Sequence, residues 1–404
     1  MKILMLGWEL PPHNSGGLGV ACYQLCKSLA KKNIDIEFVL PYSETHDTPF
    51  MTVTAAHPQG AHIVLADSGA YDSYKYVYED GREEWMDIYG QQQVFEHAVG
   101  RLAESREYDV VHAHDWLTFR AGLRAKQVRN VPLILHVHSV ERDRAGGQDG
   151  NPLVREIEET AMLLADRILA VSQLTKDAIM RDYAIPDDKI EVVHNSIDHA
   201  VIEDLLALGN DNAYKYLTAM KQQGYHVIAN IGRLTVQKGL FNFLQAAKEV
   251  VYRAPKTIFL ISGSGEQYYE LITLSADLGI AKNVIFTGFQ RGKNWRDAYQ
   301  IADLFVMPSV SEPFGITPLE AIGFGTPTLI SKQSGVAEIL QHTLKVDFWD
   351  IHEMANQMTS AIQNDGLRET LLENARGELR TMSWDTAADK VHTVYHQHVA
   401  GVTA

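Results

Sequence analysis

At 404 residues, with 46% hydrophobic and 22% charged side chains, the chain has ordinary globular composition and the length for two cores rather than one. Its formal net charge of −15 argues against a nucleic-acid surface and weakens a membrane-bound reading. Cys22 and Cys26, the two cysteines, lie four apart in a helical stretch without neighbouring histidine, so they fit neither a zinc site nor a disulfide framework and read as small buried hydrophobes.

The opening "MKILMLGW" has too short an apolar run for a signal peptide and reads as a first strand, and no stretch approaches transmembrane length. The expectation is a cytoplasmic protein with no stable membrane insertion. Short aliphatic runs follow, "DIEFVLP", "DVVHAH", "PLILHVH" and "RILAVS", separated by longer amphipathic stretches, the pattern of β-α-β units around a parallel sheet. The basic stretch "RAGLRAKQVR" (120–129) reads as the solvated face of a helix rather than a lipid-binding one. Between about 196 and 224 the chain turns polar and irregular, which places the connecting segment at 201–224, between domains at 1–200 and 225–383. The scheme then repeats with "HVIANIGR", "TIFLISG", "VIFTGF", "LFVMPS" and "PTLIS", and "SWDTAADKVHTVYHQHV" closes the chain as a helix with no strand after it. A local echo ties the halves together: "ADRILAVS" (165–172) and "ADLFVMPS" (302–309) each run Ala-Asp, five mostly apolar residues, then serine. The fold class is therefore α/β, with two doubly wound parallel-sheet domains.

In such sheets ligands bind beyond the C-terminal strand ends, and two sheets facing each other would leave a cleft. Four post-strand loops qualify. In "ELPPHNSGGLG" (9–19), Gly16 and Gly17 open toward a helix and could bring backbone N–H groups to an anion, or form a plain tight turn. In "GRLTVQKG" (232–239), Arg233 leaves a strand and Lys238 enters a helix. "GSGE" (263–266) is half of a dinucleotide fingerprint without its final glycine. In "SEPFGITPLE" (311–320), Thr317, Pro318 and Glu320 fit an N-cap, a first helical proline and a capping box, while Glu312 and Gly315 are left for an anion seat with a carboxylate beside it. Gly-rich loops, a guanidinium, an ammonium and a helix N-terminus together describe a diphosphate site. A competing reading takes His112 with His114 and His136 with His138 as the metal ligands of a hydrolase, since residues two apart on a strand share a face. It leaves Arg233, Lys238 and 311–320 without a role. A glycosidase built on Glu312 and Glu320 conflicts with the cap duty of one of them.

"WELPPHNSGGLG", "VVHAHDW", "HVHS", "VVHNSID", "GRLTVQKG", "FTGF" and "MPSVSEPFGITPLEA" occur in this order along nearly the whole chain. In this the sequence resembles the retaining family 4 glycosyltransferases of GT-B architecture, two facing Rossmann-like domains, in the branch of glycogen and starch synthases. The resemblance implies that Arg233 and Lys238 grip the donor diphosphate without a metal or cofactor, and that Glu312 bonds hydroxyls of the transferred sugar. It implies that Glu320 bonds the nucleotide ribose and that N–H groups of Gly315, Ile316 and Thr317 meet a phosphate. His138 would approach the sugar's primary hydroxyl, Gly16 and Gly17 would close over the phosphates, and Asp115 is an acceptor-side candidate. The helix from Trp384 would return to the first domain. Bacterial glycogen synthases often carry lysine just before the glycine pair, where this chain has Ser15. The implied reaction moves α-glucose from UDP-glucose or ADP-glucose to a glucan or other soluble saccharide, with a lipid or cell-envelope acceptor as the alternative. Nothing in the sequence reads as an oligomerisation signal.

Overall fold

The computed structural model describes residues 1–14, 16–44, 46–57, 61–64, 74–78, 80–209 and 211–402. Ser15 lies outside the described residues. The chain divides into two compact units: unit 1 comprises Met1–Glu141, Asn151–Asn195 and the chain from Trp384 onward, and unit 2 comprises Arg142–Gly150 and Ser196–Ser383.

Unit 1 holds strands β1 (Lys2–Leu6), β2 (Asp35–Leu40), β3 (Thr52–Ala55), β4 (Ala61–Val64), β5 (Tyr74–Tyr78), β6 (Glu83–Met86), β7 (Val110–His114), β8 (Leu133–Val137), β9 (Arg167–Ala170) and β10 (Ile190–Val192). Seven of them form a parallel sheet in the order β10-β9-β8-β7-β1-β2-β3. Its central strands are buried on both faces, which is why they read as unbroken aliphatic runs. The strand order reverses between β1 and β7, so the loops leaving these two strands flank the switch point where doubly wound sheets bind ligands. β4, β5 and β6 form a separate antiparallel sheet. The helix Trp384–Val402 belongs to unit 1 and lies against the helix Gly17–Ala30. Lys31 pairs with Asp385 at 2.9 Å, and the Tyr395 hydroxyl meets His112 Nδ1 at 2.5 Å. Cys22 and Cys26 are free and buried on Gly17–Ala30, with burial raising both thiol pKa values. On the helix Trp116–Arg129, Lys126 pairs with Asp166 and Arg129 with Glu107, so the basic stretch is a face paired with acidic residues of this same unit.

Unit 2 holds β11 (His226–Ile231), β12 (Thr257–Ser262), β13 (Val284–Gly288), β14 (Leu304–Met307), β15 (Thr328–Ser331) and β16 (Leu344–Val346), a parallel sheet ordered β13-β12-β11-β14-β15-β16. Here the reversal falls between β11 and β14. The Ala-Asp echo has one physical cause in both units. Asp166, just before β9, accepts the Leu133 N–H that opens β8 at 2.7 Å and the Lys126 ammonium at 2.7 Å. Asp303, just before β14, accepts the Val227 N–H of β11 at 2.8 Å and the Lys221 ammonium at 2.9 Å. Each lysine also donates to the backbone carbonyl two residues before its aspartate.

The stretch 201–224, expected as a connection, packs as part of unit 2, and the division falls at Asn195 and Ser196 instead. Two helices, His199–Leu206 and Lys215–Gln222, form there. The buried Arg296 guanidinium donates to the carbonyls of Leu205 and Gly209, and Asp297 accepts from the Ala213 N–H. Backbone groups of this polar stretch thus satisfy the buried Arg296–Asp297 ion pair.

Candidate functional site

In unit 2 the loop after β11 and the loop after β14 leave neighbouring strands and hold each other. The Val310 N–H donates to the Gln237 carbonyl at 2.9 Å, and Gly239, at φ +67°, lies so close to Pro308 that a Cβ there would sit 2.1 Å from its carbonyl oxygen. Across this junction the Lys238 ammonium meets Glu312 Oε2 at 2.6 Å. The Ser309 hydroxyl donates to the same oxygen at 2.9 Å. Glu312 is buried, and its backbone is pinned by Gln333 and Gly335. Two of the residues expected to act are thus brought together. Arg233, half-buried on the first loop, donates to no partner among the described residues.

The second loop turns at Gly315, where φ is +97° and a Cβ would lie 3.0 Å from Met307 and 3.1 Å from Glu312, so glycine is required. The helix Thr317–Phe324 begins next, and its N-cap is Ile316 in helical conformation, with no side-chain cap. This corrects the expected capping box. Because the helix starts one residue earlier than expected, Thr317 is its first residue, with its hydroxyl toward Met307 Sδ, and Glu320 turns inward to accept the Tyr299 hydroxyl at 2.8 Å. The N–H groups of Gly315, Ile316 and Thr317 donate to nothing among the described residues, leaving the positive end of the helix open. Burial pushes the Glu320 carboxyl up to about 7, against the lowering effect of the Tyr299 hydroxyl.

"GSGE" is not half a dinucleotide fingerprint but the brace of the Arg233 loop. Gly263, at φ +150°, sits where a Cβ would be 1.8 Å from the Gly232 carbonyl oxygen, and Gly265, at φ +156°, where it would be 2.4 Å from that of Leu234. The Leu234 N–H donates to Ser264, and the Gln267 N–H returns to Leu234.

In unit 1 the expected residues flank the switch between β1 and β7. Gly16 is the N-cap of Gly17–Ala30 in extended conformation, with its carbonyl held by Asn14 at 2.9 Å. The N–H of Gly19, two residues into that helix from Gly17, donates to the buried Glu9 carboxylate at 3.2 Å, so a side-chain anion already serves this N-terminus. Asp115 ends β7 at φ 57°, a left-handed position that a non-glycine residue rarely takes. Its buried carboxylate accepts the N–H of His138 at 2.6 Å and of Ser139 at 3.3 Å, which fixes the end of β8 relative to β7. His138, half-buried, faces His114 with Nε2 2.9 Å from its Nδ1, and burial depresses its pKa to about 3. The imidazole is therefore neutral at pH 7, one nitrogen a donor and the other an acceptor, with Nε2 already engaged by His114.

Glu9, Tyr299 and Ser309 were not anticipated as partners of the site. Ser309 had a signal, since it closes the "ADLFVMPS" echo; Tyr299, 21 residues before Glu320, had none. The His112, His114, His136 and His138 rings stack as one cluster with centroids 4.5 to 5.4 Å apart between neighbours. Among the described residues, no helix is long and apolar enough to cross a membrane.

The family model described as "Glycosyltransferase Family 4" matches residues 15–201, and the one described as "Glycosyl transferases group 1" matches residues 219–378. The chain is 27% identical over 402 residues to an uncharacterised glycosyltransferase of Methanocaldococcus jannaschii, covering 98% of each chain. It is 28% identical to a D-inositol 3-phosphate glycosyltransferase of Salinispora arenicola, over 96% of this chain and 88% of that one. It is 25% identical to a glycogen synthase of Mycobacterium tuberculosis, over 98% and 94%. Among solved structures, sucrose-phosphate synthase from Thermosynechococcus elongatus superposes with a TM-score of 0.78 at 17% identity, over 99% of this chain and 100% of that one. Anabaena HepE in complex with UDP-glucose gives 0.72 at 18%, over 98% and 100%.

Proposed function

Because the chain belongs to the GT-B glycosyltransferases related to glycogen and sucrose-phosphate synthases, we propose that it transfers α-glucose, with retention, from UDP-glucose or ADP-glucose to a glucan or other soluble saccharide. The observation that carries this reading is the unit 2 cluster: the Lys238–Glu312 pair, with Arg233 and the N–H row of Gly315, Ile316 and Thr317 unpartnered among the described residues. A diphosphate takes three kinds of donor there: a guanidinium, an ammonium and a helix N-terminus.

On this reading the acceptor hydroxyl attacks the anomeric carbon on the face from which the nucleoside diphosphate departs. The bond from that carbon to the phosphate oxygen breaks, and the acceptor's proton passes to the departing phosphate. Arg233 and Lys238 stabilise the charge growing on the diphosphate, so no metal is called for. Glu312 orients sugar hydroxyls, Glu320 takes the ribose, and neutral His138 bonds the sugar's primary hydroxyl.

The test is a donor panel. Nucleoside diphosphate release is measured from UDP-, ADP- and GDP-glucose, with and without malto-oligosaccharide, in excess EDTA, and the product linkage is read by NMR. Release stimulated by acceptor, an α-linked product and indifference to EDTA are expected. A β-linked product, or activity abolished by EDTA and restored by magnesium, overturns the mechanism. The relatives named D-inositol 3-phosphate glycosyltransferase favour a second acceptor, a small phosphorylated polyol, and inositol phosphate belongs in the panel.

A further inference from the structure

His392 and His396 stand four residues apart on the helix Trp384–Val402 and therefore share one of its faces. His396 is exposed and His392 half-buried. Their Nε2 atoms lie 3.1 Å apart, with the ring planes at 69°. Two imidazole nitrogens each about 2.0–2.1 Å from one divalent ion lie about 2.9 Å apart at a right angle and about 3.4 Å apart at a tetrahedral one. The observed separation falls between these values. We propose that His392 and His396 form a surface site for a late divalent transition-metal ion, copper, nickel or zinc, which clamps the turn between them.

One carboxylate and one ammonium stand beside the pair. Asp389, three residues before His392, brings a carboxylate to the same stretch of helix, where it pairs with Lys32 at 2.5 Å. Burial, His396 and Lys32 hold the His392 pKa below its ordinary value, against Asp389, so its lone pair is available at neutral pH. Imidazole is a ligand for all three metals, with copper bound most tightly. Bidentate histidine at this helical spacing also positions two of the ligands in zinc hydrolases.

The largely buried four-histidine cluster at the ends of β7 and β8 gathers more imidazoles, and among the described residues three of its ring nitrogens, on His112 and His136, lack partners. Its rings are nearly parallel, however, at 15° for His112 and His114, 14° for His112 and His136, and 22° for His136 and His138. In-plane lone pairs on such stacked rings run side by side, even though one ligand atom each of His112, His114 and His136 lies within 4.8 Å of the others. The exposed pair is not stacked in this way, since its ring planes cross at 69°.

The experiment uses the full chain, free of affinity tag and stripped of metal, titrated calorimetrically with copper, nickel or zinc chloride. One ion per chain is expected, with copper tighter than zinc, and a thermal midpoint that rises with free metal. His392→Ala and His396→Ala should each weaken binding by about tenfold or more and remove the thermal shift. His398→Ala should do neither, because His398 Nδ1 already bonds the Val394 carbonyl at 2.8 Å. Circular dichroism confirms that these variants keep their helix. Wild-type affinity in both His392→Ala and His396→Ala, or no saturable binding by the intact chain at millimolar metal, overturns the proposal.

Discussion

Lys238→Ala separates the two duties of this lysine. Its ammonium is 2.6 Å from Glu312, with side chains 20% and 11% exposed, so it neutralises a buried carboxylate whether or not a donor is bound. Removing it leaves Glu312 with the Ser309 hydroxyl, at a cost of about 1–3 kcal/mol of stability for a buried acceptor that loses a charged partner. If Lys238 also stabilises the departing diphosphate, its loss costs roughly 3 kcal/mol of transition-state energy, about a hundredfold or more in kcat. The double variant Lys238→Ala with Glu312→Gln distinguishes these. Glutamine keeps the Ser309 contact without a charge, so denaturant unfolding should show most of the stability restored. Diphosphate release at saturating donor should show kcat still depressed at least as far as in the single variant. A double variant with near-normal kcat would reduce Lys238 to a counter-ion and refute the diphosphate assignment.

The buried parallel strands were legible because a strand covered on both faces must be apolar throughout, as "KILML" and "TIFLIS" are. β4, β5 and β6 were not, because their sheet includes the exposed Trp85 and polar strands such as "EEWM". Lys238 and Glu312 were legible by type and loop, but their ion pair was not, since 74 residues separate them and only the β11–β14 adjacency joins them. Local rules failed where tertiary contacts supplied a better partner. Glu320 matches a capping box in spacing, yet the Tyr299 hydroxyl draws it inward. "GSGE" matches a phosphate loop in letters, yet its glycines answer to the Gly232 and Leu234 carbonyls. The paired histidines share a face as expected, but whether rings converge or stack depends on side-chain torsions that spacing does not encode.

Gly263→Ala should cost at least about 2 kcal/mol and depress activity, because a methyl group must displace the Gly232 carbonyl beside Arg233; wild-type denaturant stability would contradict the brace. Glu312→Gln should chiefly lower kcat and Glu320→Gln chiefly raise the nucleotide dissociation constant; equal and small effects in titration and turnover would remove both from the site. The pH dependence of unfolding follows from two opposed groups of titrations. Glu320, raised to about 7 from 4.5, makes the folded state bind a proton more tightly, so its contribution falls by up to about 3 kcal/mol as pH rises through that window. The buried histidines act in the other direction. Burial lowers the pKa of His112, His114, His136 and His138, the last from 6.5 to about 3, so the unfolded chain binds protons there first, and stability is lost as pH falls below about 6.5. His138 alone contributes a slope of about 1.4 kcal/mol per pH unit, or about 2–3 kcal/mol between pH 6.5 and 4.5. In the intact chain Glu320 partly masks this slope over the same range. Urea unfolding of Glu320→Gln should therefore fall more steeply with acid than the parent, and adding His138→Asn should flatten it again. Parallel profiles for all three proteins would show that neither group titrates as its burial requires.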